Sequence, residues 1–369
     1  MSNQKILHVV EPFAAGVLTS VLQLANAQAE AGYPVIIAYG VRAETPDLNK
    51  IGKHLRVRLT PVPAFTRQLA PRKDVAALWQ LVRLMREEKP AIVHLHSSKA
   101  GFLGRVAARL AGIPRNQVFY SPRGFSFLQE DLSPGKRKFY RLLETVGAWF
   151  GGTTVGCSSG ESKLAPGRRV MTIYNAIDLS LVDTLVARVK RPVAKEAPPC
   201  VALLGRIGPA RDPERVARVA RSVRMLRPDV RFLWIGGGDP DSMTLLKDAG
   251  VQLTGWLPRQ ESLRLLAAQA TVFLHASRWE GLPLAVLEAM ALKLPVVATR
   301  VIGNEDAVVS EHTGLLVDPD DLAPALLNVL SLTSTEQREL GANGRQRVET
   351  LFSLPVMMAQ YFKAYGLDA

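Results

Sequence analysis

Short apolar runs alternate with segments of helical periodicity along this chain, and the alternation is built twice. In the first half the apolar runs cover residues 5–10, 34–40 and 91–96, and in the second half the runs CVALLGR, RFLWIGGG, ATVFLHAS and LPVVATR follow one another. Strands that alternate with helices favour a parallel sheet covered on both faces. We therefore predict an α/β fold with two doubly wound, Rossmann-like sheets, whose ligands bind beyond the carboxyl ends of the strands.

The length of the chain supports two domains. Its 369 residues exceed the roughly 250 to 300 residues at which a single hydrophobic core stops growing. The charged, proline-bearing segment 188–199 separates the two series of elements. We predict a first domain over residues 1–175 and a second over 176–352. Apolar positions in residues 353–369 predict a terminal amphipathic helix.

The positive charge is concentrated in the first half. The net charge is +13, and residues 1–175 hold 24 Lys and Arg against 11 Asp and Glu, whereas residues 176–369 hold 22 against 22. Such a basic surface binds nucleic acid, anionic lipid headgroups or a phosphate-bearing substrate, or is simply solvated. Charge alone does not choose among these.

Cysteine content and the N-terminus indicate the compartment. Cys157 and Cys200 are far apart and belong to no cysteine or histidine cluster, so they predict neither a disulfide framework nor a zinc site. The N-terminus lacks the features of a signal peptide, and no apolar run reaches the length of a membrane span. We expect a cytoplasmic protein.

The densest motif is a helix opening that follows the third apolar run of the second half. A glycine there permits a tight turn, and a proline suits the first position of a helix, so the next backbone N–H groups point outward without a partner. A helix that opens in this way attracts phosphate. The candidate donor contacts are Gly281, Leu282, Pro283, Leu284 and Ala285.

Two carboxylates flank this opening. Glu280 precedes the helix, and Glu288 lies one turn beyond Leu284 on the same side. Carboxylates accept hydrogen bonds from sugar hydroxyls, so both can hold one ligand from opposite ends. The alternative is structural, with Glu288 an ordinary helix residue and Glu280 a partner of the helix dipole.

A pair of arginines follows the first strand of the second half. Asp212 is expected to cap the next helix and Pro213 to begin it. Arg211 then lies at the positive end of that helix, which is unfavourable unless an anion between Arg206 and Arg211 compensates. We predict that this anion is a diphosphate. The alternative is that both are ordinary solvated arginines.

The motif with seven residues between Glu280 and Glu288 resembles the signature of the large family of retaining glycosyltransferases called family 4 or group 1. The resemblance implies the GT-B fold, in which two Rossmann-like domains face each other across a cleft. It implies that Glu280 contacts the donor sugar, that Glu288 binds the ribose hydroxyls, and that Arg206 and Arg211 neutralise the departing nucleotide. Arg211 stands where Lys is usual.

The same resemblance assigns further residues. It places Trp256 and Leu257 at the nucleobase, although either could be core. It also implies that the terminal helix over 353–369 crosses back onto the first domain. Gly16, just ahead of a helix, permits close backbone approach to the donor, and Ala15 occupies the place of a second glycine that family members commonly have.

Residues 93–114 are characteristic of the polysaccharide and O-antigen branch of this family. Lys99 at a helix opening is a candidate for holding an acceptor phosphate. His94 and His96 share one strand face, but two histidines are too few for a metal site, and we interpret them as structural. Arg123 departs from the family pattern, because relatives usually have a histidine there that contacts the donor sugar. We keep Arg123 as a candidate donor contact that offers a fixed positive charge; the alternatives are a site changed towards another sugar or one that has lost activity.

The resemblance therefore implies a retaining hexosyltransferase that needs no metal and no cofactor, since the nucleotide sugar is a substrate. The acceptor is expected to be a polyprenyl-diphosphate-linked glycan of the cell surface. The basic first domain predicts peripheral docking on anionic membrane at the inner face of the plasma membrane, helped by residues 136–150. Two alternatives remain. One is a nucleotide-sugar epimerase. The other is a catalytically silent binding protein, although no nucleic-acid motif is present.

Overall fold

Strands and helices alternate along almost the whole chain. The computed structural model describes residues 4–41, 45, 48, 53–66, 70–189 and 198–368. These form two units, unit 1 with residues 1–175 and 357–369 and unit 2 with residues 176–356. Much of the segment 188–199, predicted to separate the domains, lies outside the described residues.

Each unit contains one sheet in which all paired strands are parallel. The strand order is β3-β2-β1-β4-β5-β6-β7 in unit 1 and β10-β9-β8-β11-β12-β13 in unit 2. The predicted α/β architecture of two parallel sheets is thereby confirmed. The strands are β1 Ile6–Val10, β2 Val35–Tyr39, β3 Val57–Pro61, β4 Ile92–His96, β5 Val118–Ser121, β6 Thr153–Gly156, β7 Val170–Thr172, β8 Cys200–Leu204, β9 Arg231–Ile235, β10 Val251–Leu253, β11 Val272–His275, β12 Val296–Thr299 and β13 Leu315–Val317.

Most of the helices connect successive strands, and the last three follow the final strand. None of those in the described residues is both long and apolar enough to cross a bilayer. They are α1 Ala15–Glu30, α2 Pro71–Glu88, α3 Ser98–Leu110, α4 Pro134–Trp149, α5 Ser159–Leu164, α6 Leu179–Val186, α7 Pro213–Leu226, α8 Pro240–Asp248, α9 Arg259–Gln269, α10 Leu284–Ala291, α11 Asn304–Ala307, α12 Leu322–Ser331, α13 Ser334–Leu351 and α14 Leu354–Tyr365.

The two faces of the unit 1 sheet differ in polarity. Alternate residues of a strand point to opposite faces. Leu7, Val9 and Leu95 pack in an apolar core with residues of α2 and α3. The residues between them on the central strands include His8 and His94, which lie opposite each other in the β1–β4 register. One face is therefore an ordinary core, and the other carries buried polar groups.

Close backbone approach in unit 2 explains part of its glycine-rich loop. A Cβ on Gly236 would lie 2.1 Å from the carbonyl oxygen of Gly205, and one on Gly238 would lie 1.9 Å from that of Ile207. No side chain fits at such distances, so only glycine allows the loop after β9 to pack against the loop after β8. These two glycines serve packing.

Candidate active site

The candidate site in unit 2 lies where its strand order reverses. Strand β8 is flanked by β9 on one side and β11 on the other, and the chain leaves β8 towards β9 but leaves β11 in the opposite direction, towards β12. The loops beyond the carboxyl ends of β8 and β11 therefore diverge, which creates a crevice suited to a ligand. Arg206 and Arg211 follow β8, and Glu280 follows β11.

Contacts of Arg278 hold these two loops together. The backbone N–H of Arg278 donates to the carbonyl of Ala210 (2.9 Å), and its guanidinium donates to both carboxylate oxygens of Asp212 at 2.9 and 3.1 Å. Asp212 also accepts a bond from the Arg215 N–H (3.2 Å) and caps α7, as its sequence predicts. Burial alone would raise the pKa of Asp212, but these arginines lower it.

Arg211 is the centre of a compact polar cluster. Its Nη1 atom contacts the His275 ring, the Ser277 hydroxyl (2.9 Å) and the Glu280 carboxylate, with which it forms an ion pair. The Ser277 hydroxyl donates to Glu280 (2.9 Å), and His275 Nε2 lies 3.2 Å from the same oxygen. In this structure the anion that compensates Arg211 is thus Glu280. Binding of a diphosphate there remains a prediction.

The protonation states in this cluster follow from burial and charge. Burial alone would raise the pKa of Glu280, but the charge of Arg211 and hydrogen bonds from His275 and Ser277 outweigh it and lower the pKa to about 2. Burial, assisted by the charge of Arg211, lowers the pKa of His275 to about 4. At neutral pH the cluster therefore holds one cation, one anion and a neutral imidazole.

Arg206 differs from Arg211 in its surroundings. It is exposed, and within the described parts of the chain it makes no hydrogen bond or ion pair. It neighbours Gly205, on which a Cβ would lie 3.6 Å from Arg211 Nε. The two arginines are therefore carried by one short loop, and only Arg211 is already neutralised.

Glu288 has a partner that its sequence surroundings do not reveal. It lies in α10, is buried, and accepts a hydrogen bond from Arg259 Nε (2.8 Å) within an ion pair. Arg259 is the first residue of α9. The structure thus places Glu280 and Glu288 at opposite ends of residues 280–288, each paired with a different arginine.

The helix opening lies slightly later than predicted. Pro283 is the residue that precedes α10, and the helix begins at Leu284. The carbonyl of Pro283 accepts the N–H groups of Val286 and Leu287, so it starts the helical ladder. Gly281 and Leu282 are buried, as is Ala285. The amides of α10 begin at Leu284, four residues after Glu280.

The loop between β10 and α9 carries an exposed aromatic ring. Trp256 is 62% exposed, and its indole lies against Gly237, on which a Cβ would be 3.0 Å from the ring. Leu257 is half-buried. Exposure of so large a ring leaves a face to which a planar ligand can stack. This loop leads directly to Arg259, the partner of Glu288.

In unit 1, Arg123 is held by neutral groups. It follows β5 and has a left-handed φ of 59°, a conformation that costs a non-glycine residue about 1 kcal/mol. Its guanidinium donates to Ser20 Oγ (3.1 Å) and to Asn175, and lies 3.5 Å from His96 Nδ1. The N–H of Gly124 donates to Glu161 (2.6 Å). These contacts fix the direction of a positive charge at the end of β5.

Three buried histidines adjoin Arg123. His8, His94 and His96 have ligand atoms within 4.8 Å of one another. Their ring nitrogens are engaged, because His8 contacts His96 (3.0 Å) and Gln28 (2.7 Å), His94 contacts Ser121 and Tyr365, and His96 also contacts Arg123. Burial lowers all three pKa values, with that of His8 at about 4. This geometry favours a structural network of neutral rings.

Lys99 and Gly16, two other residues of unit 1 that were predicted to contact ligands, lie in different surroundings. Lys99, the second residue of α3, forms an ion pair with Asp74 and donates to the Thr66 carbonyl, both at 2.6 Å. Its charge is therefore balanced inside the unit, and the acceptor phosphate at Lys99 remains a prediction. Gly16 is exposed and lies in the first turn of α1, which begins two residues earlier than predicted.

Some residues of these clusters were not predicted from sequence. His275 ends β11, and a polar residue at the carboxyl end of a central strand is a signal that could have identified it. Ser277 lies in the same loop. Arg259 gives no local signal, since its contact with Glu288 joins residues separated by 29 positions.

Comparisons with family models match both halves of the chain. A model described as "Glycosyl transferase 4-like domain" matches residues 15–173. A model described as "Glycosyl transferases group 1" matches residues 198–332.

Individual relatives extend over nearly the whole length. The UDP-Gal:alpha-D-GlcNAc-diphosphoundecaprenol alpha-1,3-galactosyltransferase of Escherichia coli is 30% identical over 82% of this chain and 84% of its own. The capsular polysaccharide biosynthesis glycosyltransferase CapM of Staphylococcus aureus is 24% identical over 99% and 98%.

A solved structure establishes the fold by similarity. Sucrose-phosphate synthase from Thermosynechococcus elongatus superposes with a TM-score of 0.81 at 21% identity, covering 99% of this chain and 98% of that one. The two parallel-sheet units and this similarity together show a GT-B fold.

Proposed function

This chain belongs to the group 1 glycosyltransferase family, and on that premise we propose the reaction that it catalyses. It transfers a hexose from a nucleotide diphosphate donor to a hydroxyl of a lipid-linked or polysaccharide acceptor, with retained anomeric configuration. The product belongs to a cell-surface glycan, such as O-antigen, capsule or exopolysaccharide. The named activities of the Escherichia coli and Staphylococcus aureus relatives support this choice.

One observation carries the proposal. Arg211 and Glu280 form an ion pair at the carboxyl ends of β8 and β11, where the sheet order reverses. A guanidinium suits a phosphate, and a carboxylate suits sugar hydroxyls. When a donor binds, its diphosphate takes over Arg211, and Glu280 is released to accept bonds from the sugar. Before the donor binds, the ion pair keeps both charged side chains in the crevice while their charges cancel.

The remaining donor contacts extend from this pair. Arg206, exposed on the same loop, adds a second positive charge for the diphosphate, and the opening of α10 supplies backbone N–H groups. Glu288 exchanges its contact with Arg259 for the ribose hydroxyls, and Trp256 stacks on the base. On the other unit, Arg123 holds a fixed positive charge that we assign to the donor.

The reaction balances without a protein base. The bond between the anomeric carbon and the leaving phosphate oxygen breaks, and the acceptor hydroxyl oxygen bonds to that carbon on the same face. The hydroxyl proton passes to the departing phosphate. Arg206 and Arg211 stabilise the charge that develops on that phosphate. Since these cations do the neutralising, we expect turnover to persist in EDTA.

Nucleotide binding tests the proposal directly. Titration calorimetry with UDP, GDP and ADP should identify the base. Glu288→Ala should weaken binding of the preferred nucleotide by about tenfold, because a carboxylate that accepts ribose hydroxyls is lost. Glu339→Ala, which removes an exposed carboxylate of α13 in the same unit, is the matched control and should bind normally. Equal affinity of the Glu288 variant and the control would refute the ribose contact.

Turnover separates an enzyme from a silent binding protein. Arg206→Ala should lower kcat by about a hundredfold, because a charge that stabilises the leaving phosphate is removed. Arg221→Ala, an exposed arginine of α7, should leave kcat unchanged. Sugar transfer followed by product analysis would also report the anomeric configuration, and an inverted product would exclude the retaining mechanism.

The acceptor motivates a further part of the proposal. The Escherichia coli relative is named for a diphosphoundecaprenol-linked sugar, and a lipid acceptor of that chemistry is presented at a membrane surface. We therefore propose peripheral contact of the basic unit 1 with anionic lipid.

A further inference from the structure

His275 lies between the two charged side chains of the unit 2 cluster. It is the last residue of β11, and its side chain is buried. Its Nε2 atom contacts Arg211 Nη1 and lies 3.1 Å from the Ser277 hydroxyl and 3.2 Å from Glu280 Oε1. Within the described chain, the charges that shift the pKa of this ring are those of Arg211 and Glu280. One ring nitrogen therefore faces both a cation and an anion.

The two charged neighbours make opposite demands on this nitrogen. A guanidinium only donates hydrogen bonds, so Arg211 favours an Nε2 without a proton, whereas an ionised carboxylate only accepts them, so Glu280 favours an N–H at Nε2. With Arg211 in place, burial and the charge of this arginine lower the pKa of His275 to about 4. The ring is therefore neutral at neutral pH, and Arg211 is the cation that balances Glu280.

Donor binding changes this balance. Under the proposed function, the diphosphate takes over Arg211 and brings its own negative charge to the cluster. Glu280 then loses its ion pair with Arg211, although its side chain is only 14% exposed. A carboxylate that is left buried without a cation is strongly destabilised. His275 can supply the missing cation, because protonation of Nε2 creates an N–H that faces the same oxygen of Glu280.

The backbone that carries His275 is held independently of Arg211. The hydroxyl of Thr299 in β12 contacts the carbonyl of His275 (3.3 Å) and donates to that of Ser277 (2.6 Å). Asn304 in turn donates to the Thr299 carbonyl (2.8 Å). These partners are neutral, so they fix the position of the ring without adding charge to it. The ring therefore stays beside Glu280 when Arg211 changes its partner.

Two further cations near the cluster are already balanced. Arg215 and Arg278 both form ion pairs with the buried carboxylate of Asp212. Neither of them contacts the His275 ring through any bond in the described residues, and neither shifts its pKa. The change in charge that follows donor binding therefore falls on His275 and Glu280.

We propose that His275 takes up a proton when the diphosphate of the donor occupies Arg211, and that the imidazolium replaces Arg211 as the ion-pair partner of Glu280. The proton comes from solvent and bonds to Nε2, and it leaves again when the nucleotide is released and Arg211 returns. His275 is in this way a positioning residue, because it holds the carboxylate of Glu280 for the hydroxyls of the donor sugar. The proposal rests on the proposed function, in which a diphosphate displaces Glu280 from Arg211.

Calorimetry counts the proton directly. The full chain is titrated with UDP-galactose, UDP-glucose and GDP-mannose without an acceptor, and the titration that shows binding is repeated in buffers of different ionisation enthalpy. A nucleotide sugar has no terminal phosphate to titrate near neutral pH, whereas that of UDP has a pKa of about 6. At about pH 6 the unsubstituted chain should take up at least about half a proton per donor, so the Kd should fall at least about threefold for each unit of falling pH.

The variant His275→Gln isolates the proposed proton. A glutamine amide offers an N–H or an oxygen near the place of Nε2 but takes up no proton. At about pH 7.5 this variant should bind the nucleotide sugar within about threefold of the unsubstituted chain, but at about pH 6 it should take up less than about a fifth of a proton. His312→Gln, at an exposed histidine of the same unit, is the matched control and should keep the full uptake.

Turnover tests the positioning role. His275→Leu offers Glu280 no hydrogen bond and should lower kcat at least about tenfold. His275→Gln should restore most of this loss, because its amide can donate to Glu280. A leucine variant with unchanged kcat would contradict the positioning role.

Nuclear magnetic resonance locates the proton. The ring nitrogen and carbon shifts of a histidine distinguish a neutral imidazole from a protonated one. The His275 signal is identified by its loss in His275→Gln or, if that variant does not fold, in His275→Asn. In the unsubstituted chain at about pH 6 it should report a neutral ring without ligand and a protonated ring in the complex with the nucleotide sugar.

Three results would overturn the proposal. These are binding of a nucleotide sugar without proton uptake, uptake that persists in His275→Gln and so belongs to another group such as Glu280, and a His275 ring that stays neutral in the complex. Each of them leaves the proposed function intact, because the donor still binds. If the chain binds neither these nucleotide sugars nor UDP, GDP or ADP, the proposed function fails and this proposal fails with it.

Discussion

Unit 1 and unit 2 each place a polar cluster beside the central strands of a parallel sheet, but the clusters differ in how charge is handled. In unit 2, Arg211 is paired with the carboxylate of Glu280. In unit 1, the hydrogen-bond acceptors of Arg123 are the neutral groups of Ser20, Asn175 and His96. An ion pair can exchange partners with a charged ligand, whereas a neutral network mainly fixes a direction. The same architecture thus supports two electrostatic designs.

The largest expected effect tests the charged cluster. Arg211→Ala should lower kcat/KM by about a hundredfold to a thousandfold, because it removes a donor aimed at the leaving phosphate. Arg211→Lys keeps the charge and should retain most activity. Steady-state kinetics with the preferred nucleotide sugar would measure both. If Arg211→Ala kept kcat/KM within twofold of the unsubstituted enzyme, the proposal that Arg211 exchanges Glu280 for a diphosphate would be untenable.

The stabilities of the two units should respond differently to acid. Three buried histidines of unit 1, and His275 of unit 2, have pKa values lowered by burial. At these histidines the unfolded chain therefore binds more protons than the folded one as pH falls through about 6.5, so their contribution to stability declines with falling pH. Between pH 7 and 6 the three histidines together should cost about 2 kcal/mol of the free energy of unfolding.

Hydrogen exchange would localise this loss. Amides of β1 and β4 should lose more protection between pH 7 and 6 than those of β8 and β11. His8→Asn removes one titrating group and should flatten the dependence. Glu280 behaves differently, because its lowered pKa gives stability that is present above about 4.5 and lost towards pH 2. Equal loss in both units would contradict the contrast.

The smallest predicted effect concerns α14. Tyr365→Phe removes the hydroxyl that contacts His94 Nδ1 (2.6 Å) and leaves a buried nitrogen without that partner. Unit 1 should lose about 1 to 2 kcal/mol. Urea unfolding of the full chain would measure it, with Tyr140→Phe as a control at a partly exposed ring of α4. Equal stability of the two variants would mean that the network does not depend on α14.

Local signals predicted the elements well. The Asp212 cap and the start of α7 at Pro213 were predicted, because a cap is decided by neighbouring backbone groups. The runs at β1, β4, β8 and β11 were recognisable because central parallel strands are apolar throughout. Strands β3, β5, β6, β7, β10 and β13 were not singled out. Three of these, β7, β10 and β13, have only three residues, which carry little periodicity.

The sequence predicted which residues belong to the candidate site better than it predicted which of them form pairs. Glu280, Glu288 and Arg211 were identified from one motif and one helix start. Their partners were not, because Arg211 reaches Glu280 across 69 positions and Arg259 reaches Glu288 across 29. His8 was likewise missed beside His94, because cross-strand neighbours are set by the order of strands in the sheet.

The amino-acid sequence alone was sufficient to determine two parallel α/β sheets, the positive charge of the first half and the residue types of the candidate site, since these depend on local periodicity and composition. Tertiary structure decided which charged side chains form pairs and which apolar side chains remain exposed on the surface. Pair energies depend on distances of a few ångströms between groups remote in the chain. Those distances arise only when strand order and helix packing bring the loops together.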